Sequence, residues 1–371
     1  MKVGIPREVK DSEFRVAITP AGVNELTRMG HDVVIEHEAG IGSSIPDADF
    51  VAAGAQILPD ADAVWGEAEL VCKVKEPVAE EYHRMRADQV LFTYLHLAAS
   101  EECTKALIAS GTTAVGYETV QLADGSLPLL APMSEVAGRM APQVGAHHLQ
   151  RESGGRGVLM GGVSGVYAAK VVVLGAGVSG MNAAAIALGM QAEVLLLDKN
   201  IDKLRQSDRI YQGHLQTVAS NAYEVEKACL DADLVIGAVL VPGAKAPTLV
   251  SDDLVACMKP GAVLVDIAVD QGGCFESTRP TTHSHPTFRV HEAVFYCVAN
   301  MPGAVPHTST YALTNVTLPY AERIAGVGWR QAARDDAALA AGLNVVAGEV
   351  VCAPVAEAHG LPHRKLAEVL A

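Results

Sequence analysis

KVVVLGAGVSG, residues Lys170–Gly180, joins an apolar strand to a glycine series. Three valines and a leucine in a row read as a strand buried on both faces. Gly175, Gly177 and Gly180 follow at the spacing of a dinucleotide-binding turn. In such a turn the first glycine permits the tight bend, the second lets the backbone approach a pyrophosphate, and the third lets the next helix pack on the strand. The phosphate charge then meets a helix N-terminus. A second apolar run, residues 193–197, ends in Asp198, 18 residues past Gly180, where an acidic side chain takes the adenosine ribose hydroxyls. The same carboxylate would repel the extra phosphate of NADP, so the two signals together predict an NAD site.

Working outward, strands are expected near 171–175, 193–197, 215–218, 234–239, 262–267 and 294–298, the six of a full doubly wound nucleotide domain. The glycine-rich segment 154–170 before them reads as loop and short hairpin. Residues 134–151 have helical spacing, and Pro142 is expected to kink or restart that helix. The N-terminal part alternates strand and helix without a glycine fingerprint. Its strands are read at 3–6, 31–40 with its turn, 70–74, 90–94 and 113–117, with Thr19-Pro20 opening one helix and Ser100 capping another. Residues 310–371 offer helical stretches and a hairpin around NVVAGEVV, and are expected to return to the first domain. No internal repeat or low-complexity tract is apparent.

A chain of 371 residues suits two domains. Half of it is hydrophobic but only 5% is aromatic, so Ala, Val, Ile and Leu must build the interior, as alternating strands and helices do. The formal charge of -15 argues against a nucleic-acid partner, which needs clustered Lys and Arg. The seven cysteines show no CxxC spacing, as expected of reduced thiols, and no metal site is expected. MKVGIPREVK carries no charged-then-apolar leader, and the longest apolar stretch, residues 234–244, is far short of the ~20 residues that span a bilayer. The expectation is a cytoplasmic protein with no membrane contact.

Ligands of open α/β sheets bind past the strand ends, which singles out four residues. Asp270 follows the strand AVLVDIAVD and precedes Gln271-Gly272-Gly273; it reads either as a proton acceptor or as a loop cap. His96 ends the run VLFTYLH and reads first as a satisfied core imidazole, second as a general acid/base. Lys75 could hold a carboxylate, or simply pair with Glu76 in solvent. Arg15 could grip a carboxylate with its planar fork, or be plain surface. His283 and His285 in THSHP have metal-compatible spacing but no accompanying carboxylate, and read as solvated.

The whole chain resembles the L-alanine dehydrogenases, an NAD-dependent family related to the soluble NAD-binding subunit of proton-translocating transhydrogenase. The resemblance rests on EFRVAITPAG at 13–22, KVKEP at 73–77, LHLAAS at 95–100, APMSEVAGR at 131–139, GAGVSG at 175–180, DIAVDQGGCFE at 266–276 and VANMPGAVPHTST at 298–310. It implies two Rossmann-like doubly wound α/β domains: a substrate domain at 1–130 plus 307–371, and an NAD domain at 131–306 inserted between its parts. It also implies that Arg15 and Lys75 bind the substrate carboxylate, that His96 is the acid/base, and that Asp270 assists proton transfer. Tyr94, Met133, Asn300 and Met301 then line the substrate. Ser134, Gly175, Gly177, Val178, Gly180, Asp198, Lys203, Ser220, Val239, Leu240, Ile267, Asp270, Arg279, Val298, Asn300 and Met301 then contact NAD. His307 stands where Lys or Arg is expected. The implied reaction converts L-alanine to pyruvate and ammonium, reversibly, in a homohexamer. The other functions weighed are a transhydrogenase subunit, a saccharopine-type reductase and a catalytically silent NAD sensor.

Overall fold

A computed structural model describes residues 1–239 and 246–371. They form two α/β units, one of residues 1–133 and 305–371, the other of residues 134–304. In the first unit, β1 (Lys2–Ile5), β2 (Asp32–Glu36), β3 (Gln56–Leu58), β4 (Leu70–Cys72), β5 (Val90–Thr93) and β6 (Thr113–Gly116) run parallel in the order β3-β2-β1-β4-β5-β6. This is the doubly wound order, with its switch point between β1 and β4. The helix Pro20–Arg28 starts as its sequence demands: Thr19 accepts from the Gly22 amide, and Pro20 sits where no amide is needed. Ser100 likewise accepts from the Cys103 amide at the start of Glu101–Ser110.

The second unit repeats that order. β7 (Lys170–Leu174), β8 (Glu193–Asp198), β9 (Gln216–Ala219), β10 (Leu234–Gly237), β11 (Val263–Asp266), β12 (Thr287–Val290) and β13 (Ala293–Tyr296) form a sheet ordered β12-β13-β11-β10-β7-β8-β9. Alternate residues of β7 serve opposite cores. Val171 and Val173 pack with Leu234, Ile236 and Val265, whereas Val172 and Leu174 pack with Val235, Leu264 and Phe275. That two-sided burial is what an unbroken apolar run requires. The chain then returns to the first unit, where β14 (Leu343–Val346) and β15 (Glu349–Val350) extend its sheet antiparallel beyond β6.

Three expectations need correcting. Pro142 does not restart its helix, which runs on as one element over Ala131–His148. Close packing outweighs the lost amide: a Cβ at Gly138 would lie 2.2 Å from the Ser179 carbonyl, and one at Gly145 2.5 Å from Leu234. Among the described residues the second unit has a seventh strand, β12, antiparallel at the edge and only four residues long. The short β3 was likewise not expected.

Candidate active site

Three neighbouring parallel strands, β1, β4 and β5, carry the polar residues of the first unit past their carboxyl ends. Arg15 lies in the segment after β1 and is 2% exposed, so it is not the surface arginine that its sequence context allowed. Its Nε donates to Glu13 Oε1 at 2.7 Å and its Nη2 to Glu13 Oε2, a two-point fork on one carboxylate. Nη1 points to Met133 Sδ at 3.0 Å. The segment is tied down by the Val16 amide, which donates to Thr310 Oγ1. Because Glu13 has no exposed side-chain surface, the pair holds one edge of the guanidinium plane in a fixed direction.

After β4, Lys73 is buried between Glu8 (3.2 Å) and Glu81 (2.9 Å). Burial opposes its charge, yet the two glutamates outweigh that and hold Lys73 above the ordinary lysine range. Burial pushes Glu8 up, with Lys73 pulling the other way. Glu8 also accepts from the Val74 amide at 2.6 Å, which fixes the backbone presenting Lys75. Glu76 accepts from the Lys10 ammonium, 66 residues away.

After β5, Tyr94 is buried and donates to the Leu129 carbonyl at 2.6 Å. Burial raises its hydroxyl strongly, and the charge of Arg15 opposes that shift. Its ring stacks on the His96 imidazole at 5.8 Å and 11°. His96 has φ 48° and ψ 35°, a left-handed conformation that costs a non-glycine residue about 1–3 kcal/mol and clusters at functional sites. The turn leaves the imidazole half-exposed rather than sealed in the core, against the first reading of its sequence. The amides of Leu95 and His96 both donate to Glu118, at 3.1 and 2.6 Å.

In the second unit the glycines each meet a different constraint. Gly175 has φ 104°, and a Cβ there would lie 2.8 Å from the Ala238 carbonyl after β10, across the switch point. A Cβ at Gly180 would lie 1.7 Å from the Gly175 carbonyl, whereas one at Gly177 would meet nothing within 4 Å. Gly177 therefore faces open space at the cap of the helix Val178–Gly189, as a phosphate cradle requires. Asp198 ends β8 and accepts from the Ala176 and Asn200 amides, both at 2.7 Å; lone pairs remain for further donors. The Ser220 amide donates to the Asp198 carbonyl.

Val239, Ile267, Asp270 and Val298, with Asn300 and Met301, continue along the carboxyl edge past β10, β11 and β13. Asp270 sits exposed in a short turn, Val269–Gln271. Leu240 lies outside the described residues. Ser134 lies in the first turn of the helix Ala131–His148. Lys203 is exposed on the helix after β8, and Arg279 is drawn over the Phe288 ring on β12 at 4.4 Å. His283, expected to be solvated, bonds to the Asn300 carbonyl at 2.7 Å. His307 opens the long helix Pro306–Val327 beside Tyr311.

Sequence reasoning passed over the carboxylates that hold these groups: Glu8, Glu13, Glu118 and Asp266. Asp266 is buried at the end of β11, where it accepts from Ala268, Cys274 and the Thr278 hydroxyl. It thereby closes the loop that carries Asp270. Its position as an acid directly ending an apolar strand, in LVDIA, was the available signal. Among the described residues no cluster of three or more His, Cys, Asp and Glu could hold a metal, and no helix is long and apolar enough to cross a membrane.

Known proteins resemble the chain over nearly all of its length. An alanine dehydrogenase of Mycobacterium tuberculosis is 65% identical over 371 residues, all of both chains. A solved L-alanine dehydrogenase superposes with a TM-score of 0.94 at 50% identity, covering 97% of this chain and 99% of that one. The transhydrogenase from Sinorhizobium meliloti gives a TM-score of 0.80 at 27% identity, covering 95% and 99%. The profile of the "Alanine dehydrogenase/PNT" N-terminal domain matches residues 4–137 and that of its C-terminal domain residues 141–353. Two doubly wound units, each with polar residues past its strand ends, and two family profiles that together cover nearly the whole chain leave one placement: the chain belongs to the alanine dehydrogenase/PNT family.

Proposed function

We propose that this protein is an NAD-dependent L-alanine dehydrogenase, interconverting L-alanine and water with pyruvate and ammonium. One observation carries the reading: at 65% identity over its whole length to an alanine dehydrogenase, the chain places a guanidinium, an ammonium and an imidazole past three adjacent strands of one unit. The first unit is the substrate domain and the second the nucleotide domain. Open space at Gly177 and the close turn at Gly175 and Gly180 fit a dinucleotide, and the Asp198 carboxylate favours NAD over NADP by charge. Ser134, Ser220, Val239, Asn300 and Met301 complete the nucleotide side. When bound, NAD supplies the two-electron acceptor for the α-hydrogen of the amino acid.

Arg15 and Lys75 hold the substrate carboxylate, with Tyr94 and Met133 walling the methyl side. Fixing that carboxylate orients the α-carbon, and such positioning supplies several kcal/mol. His96 takes a proton from the water that adds to the iminium carbon. It returns that proton to the amine nitrogen, then accepts the hydroxyl proton as ammonia leaves and the carbonyl forms. Asp270 assists this proton traffic. The assembly is read as a cytoplasmic homohexamer, whose mass light scattering would report.

The test follows NADH absorbance with L-alanine plus NAD at alkaline pH, beside NADP and His96→Ala. Fast reduction of NAD, lost in the variant and weak with NADP, supports the proposal. No turnover with alanine despite NADH binding, together with NADH-to-NADP hydride transfer when membrane components are added, would favour the transhydrogenase reading instead.

A further inference from the structure

The left-handed turn at His96 is held by a side chain from the turn that follows the neighbouring strand. β5 and β6 run parallel, with Thr93 opposite Gly116, so their carboxyl ends lie side by side. The chain leaves β5 through Tyr94 and Leu95 to His96, and leaves β6 through the short turn Tyr117–Thr119. From that turn Glu118 reaches across. Both its oxygens accept from the Leu95 amide at 3.1 Å, and Oε1 also accepts from the His96 amide at 2.6 Å. Two successive amides converging on one carboxylate form an anion-holding arrangement of backbone. Here the anion belongs to the protein, and the backbone is what it holds.

The brace is itself supported. Asn344 on β14 donates to Thr119 Oγ1 at 2.7 Å and to the Gly342 carbonyl at 2.9 Å, and Thr119 Oγ1 donates to Gly116 and Gly342 carbonyls. Gly116 is needed beneath it, because a Cβ there would lie 2.7 Å from Asn344 Nδ2 and 2.9 Å from Thr119 Oγ1. On the far side, the His359 ring bonds to the Leu97 carbonyl at 2.7 Å. The residues around the imidazole are thus held from two elements that follow the second unit in sequence.

We infer that Glu118 is a positioning residue: by binding the Leu95 and His96 amides it enforces the left-handed turn that aims the His96 imidazole at its proton-transfer partner. This rests on the reading of His96 as the acid/base. Glu118 itself touches backbone, so its removal leaves the substrate grip of Arg15 and Lys75 and the nucleotide unit in place. A displacement of about 1 Å in a reacting group costs on the order of 10²-fold in rate.

The experiment compares Glu118→Ala, Glu118→Gln, Glu118→Asp and His96→Ala in the alanine-dependent reduction of NAD, with NADH titration and thermal melting alongside. Glu118→Ala is expected to lose about 10²-fold in kcat, with KM for alanine and NADH affinity unchanged and a larger solvent deuterium isotope effect, because proton transfer has become slow. Glu118→Gln keeps an acceptor oxygen for the two amides and is expected to restore most of the rate. If Glu118→Ala melts early, Glu118→Asp takes its place. It keeps the charge but draws the oxygens back by one methylene, and is expected to show the same kcat loss at an unchanged melting temperature. Wild-type kcat in Glu118→Ala beside an inactive His96→Ala overturns the inference, as does a Glu118→Gln variant no better than Glu118→Ala. Full activity in His96→Ala overturns the underlying reading of His96 instead.

Discussion

Replacing Lys73 with methionine, a chain of similar length without the charge, should unfold the first unit well before the second. Lys73 is 0% exposed, and both glutamates that face it are 2% exposed. Removing one partner of a buried ion pair typically costs about 3–5 kcal/mol, because the remaining charge is left without compensation. In a unit of this size each kcal/mol moves the melting temperature by roughly 2–4 °C, so the variant should melt about 6–20 °C below the wild type at neutral pH.

The pH dependence gives the same argument a second, independent handle. Glu8 is raised by burial, and Lys73 opposes that rise; without Lys73 it rises further. A carboxyl raised in the fold disfavours the folded state once ionised, so the variant should regain stability as pH falls through its raised value. The deficit against wild type should therefore shrink towards acid pH, from a window above the ordinary glutamate value of 4.5. Lys73 in the wild type is raised as well. Its stabilisation is complete below the ordinary lysine value of 10.5 and is lost as pH rises through the folded value, so the deficit should shrink at the alkaline end too. Glu8→Gln added to the variant should recover part of the loss. The assay is a melting series across pH by circular dichroism. A deficit under about 2 °C at neutral pH, or one of constant size at every pH, would refute the reasoning.

Other substitutions probe the site directly. Gly180→Ala places a methyl 1.7 Å from the Gly175 carbonyl and should abolish NADH binding while lowering the melting temperature of the second unit. Gly177→Ala, facing open space, should melt like the wild type but bind NADH more weakly, which fluorescence titration would separate. Asp198→Asn keeps an acceptor for the Ala176 amide while removing the charge, and should narrow the NAD over NADP preference by about tenfold or more in kcat/KM. Arg15→Lys loses both the fork on Glu13 and the planar grip on a carboxylate, so KM for alanine should rise with NADH affinity unchanged.

The nucleotide fingerprint was legible because its constraints are local. Glycine spacing, an adjoining apolar run and an acid at the end of the next strand all report on one turn and its neighbour. The doubly wound class followed once the apolar runs were counted. What escaped notice was weak or non-local: β12 lies at a sheet edge with one polar face, β3 spans only Gln56–Leu58, and the unbroken helix at Pro142 depends on packing at Gly138 and Gly145. Hydrophobic periodicity contains none of these contacts.

The site residues show the same division more sharply. From its neighbours alone His96 looked like a core histidine, because VLFTYL buries everything beside it. Its turn is bonded by a carboxylate 22 residues away, in the turn after the next strand. Arg15 looked like surface, and its burial depends on Glu13, whose sequence spacing of two says nothing about a bidentate pair until the chain folds back on itself. Beside Lys75, its sequence neighbours take partners far along the chain: Glu76 accepts from Lys10, 66 residues away, and Lys73 is locked between Glu8 and Glu81. In each case the group that does chemistry is recognisable by type, while the carboxylate that aims it is anonymous in sequence, since Asp and Glu are common and mostly exposed. A buried carboxylate bonded to backbone amides or to a buried cation is costly to keep unless its geometry is used. Glu8, Glu13 and Asp266, with the half-buried Glu118 on its two amides, are therefore where substitutions away from the reacting atoms should change turnover most.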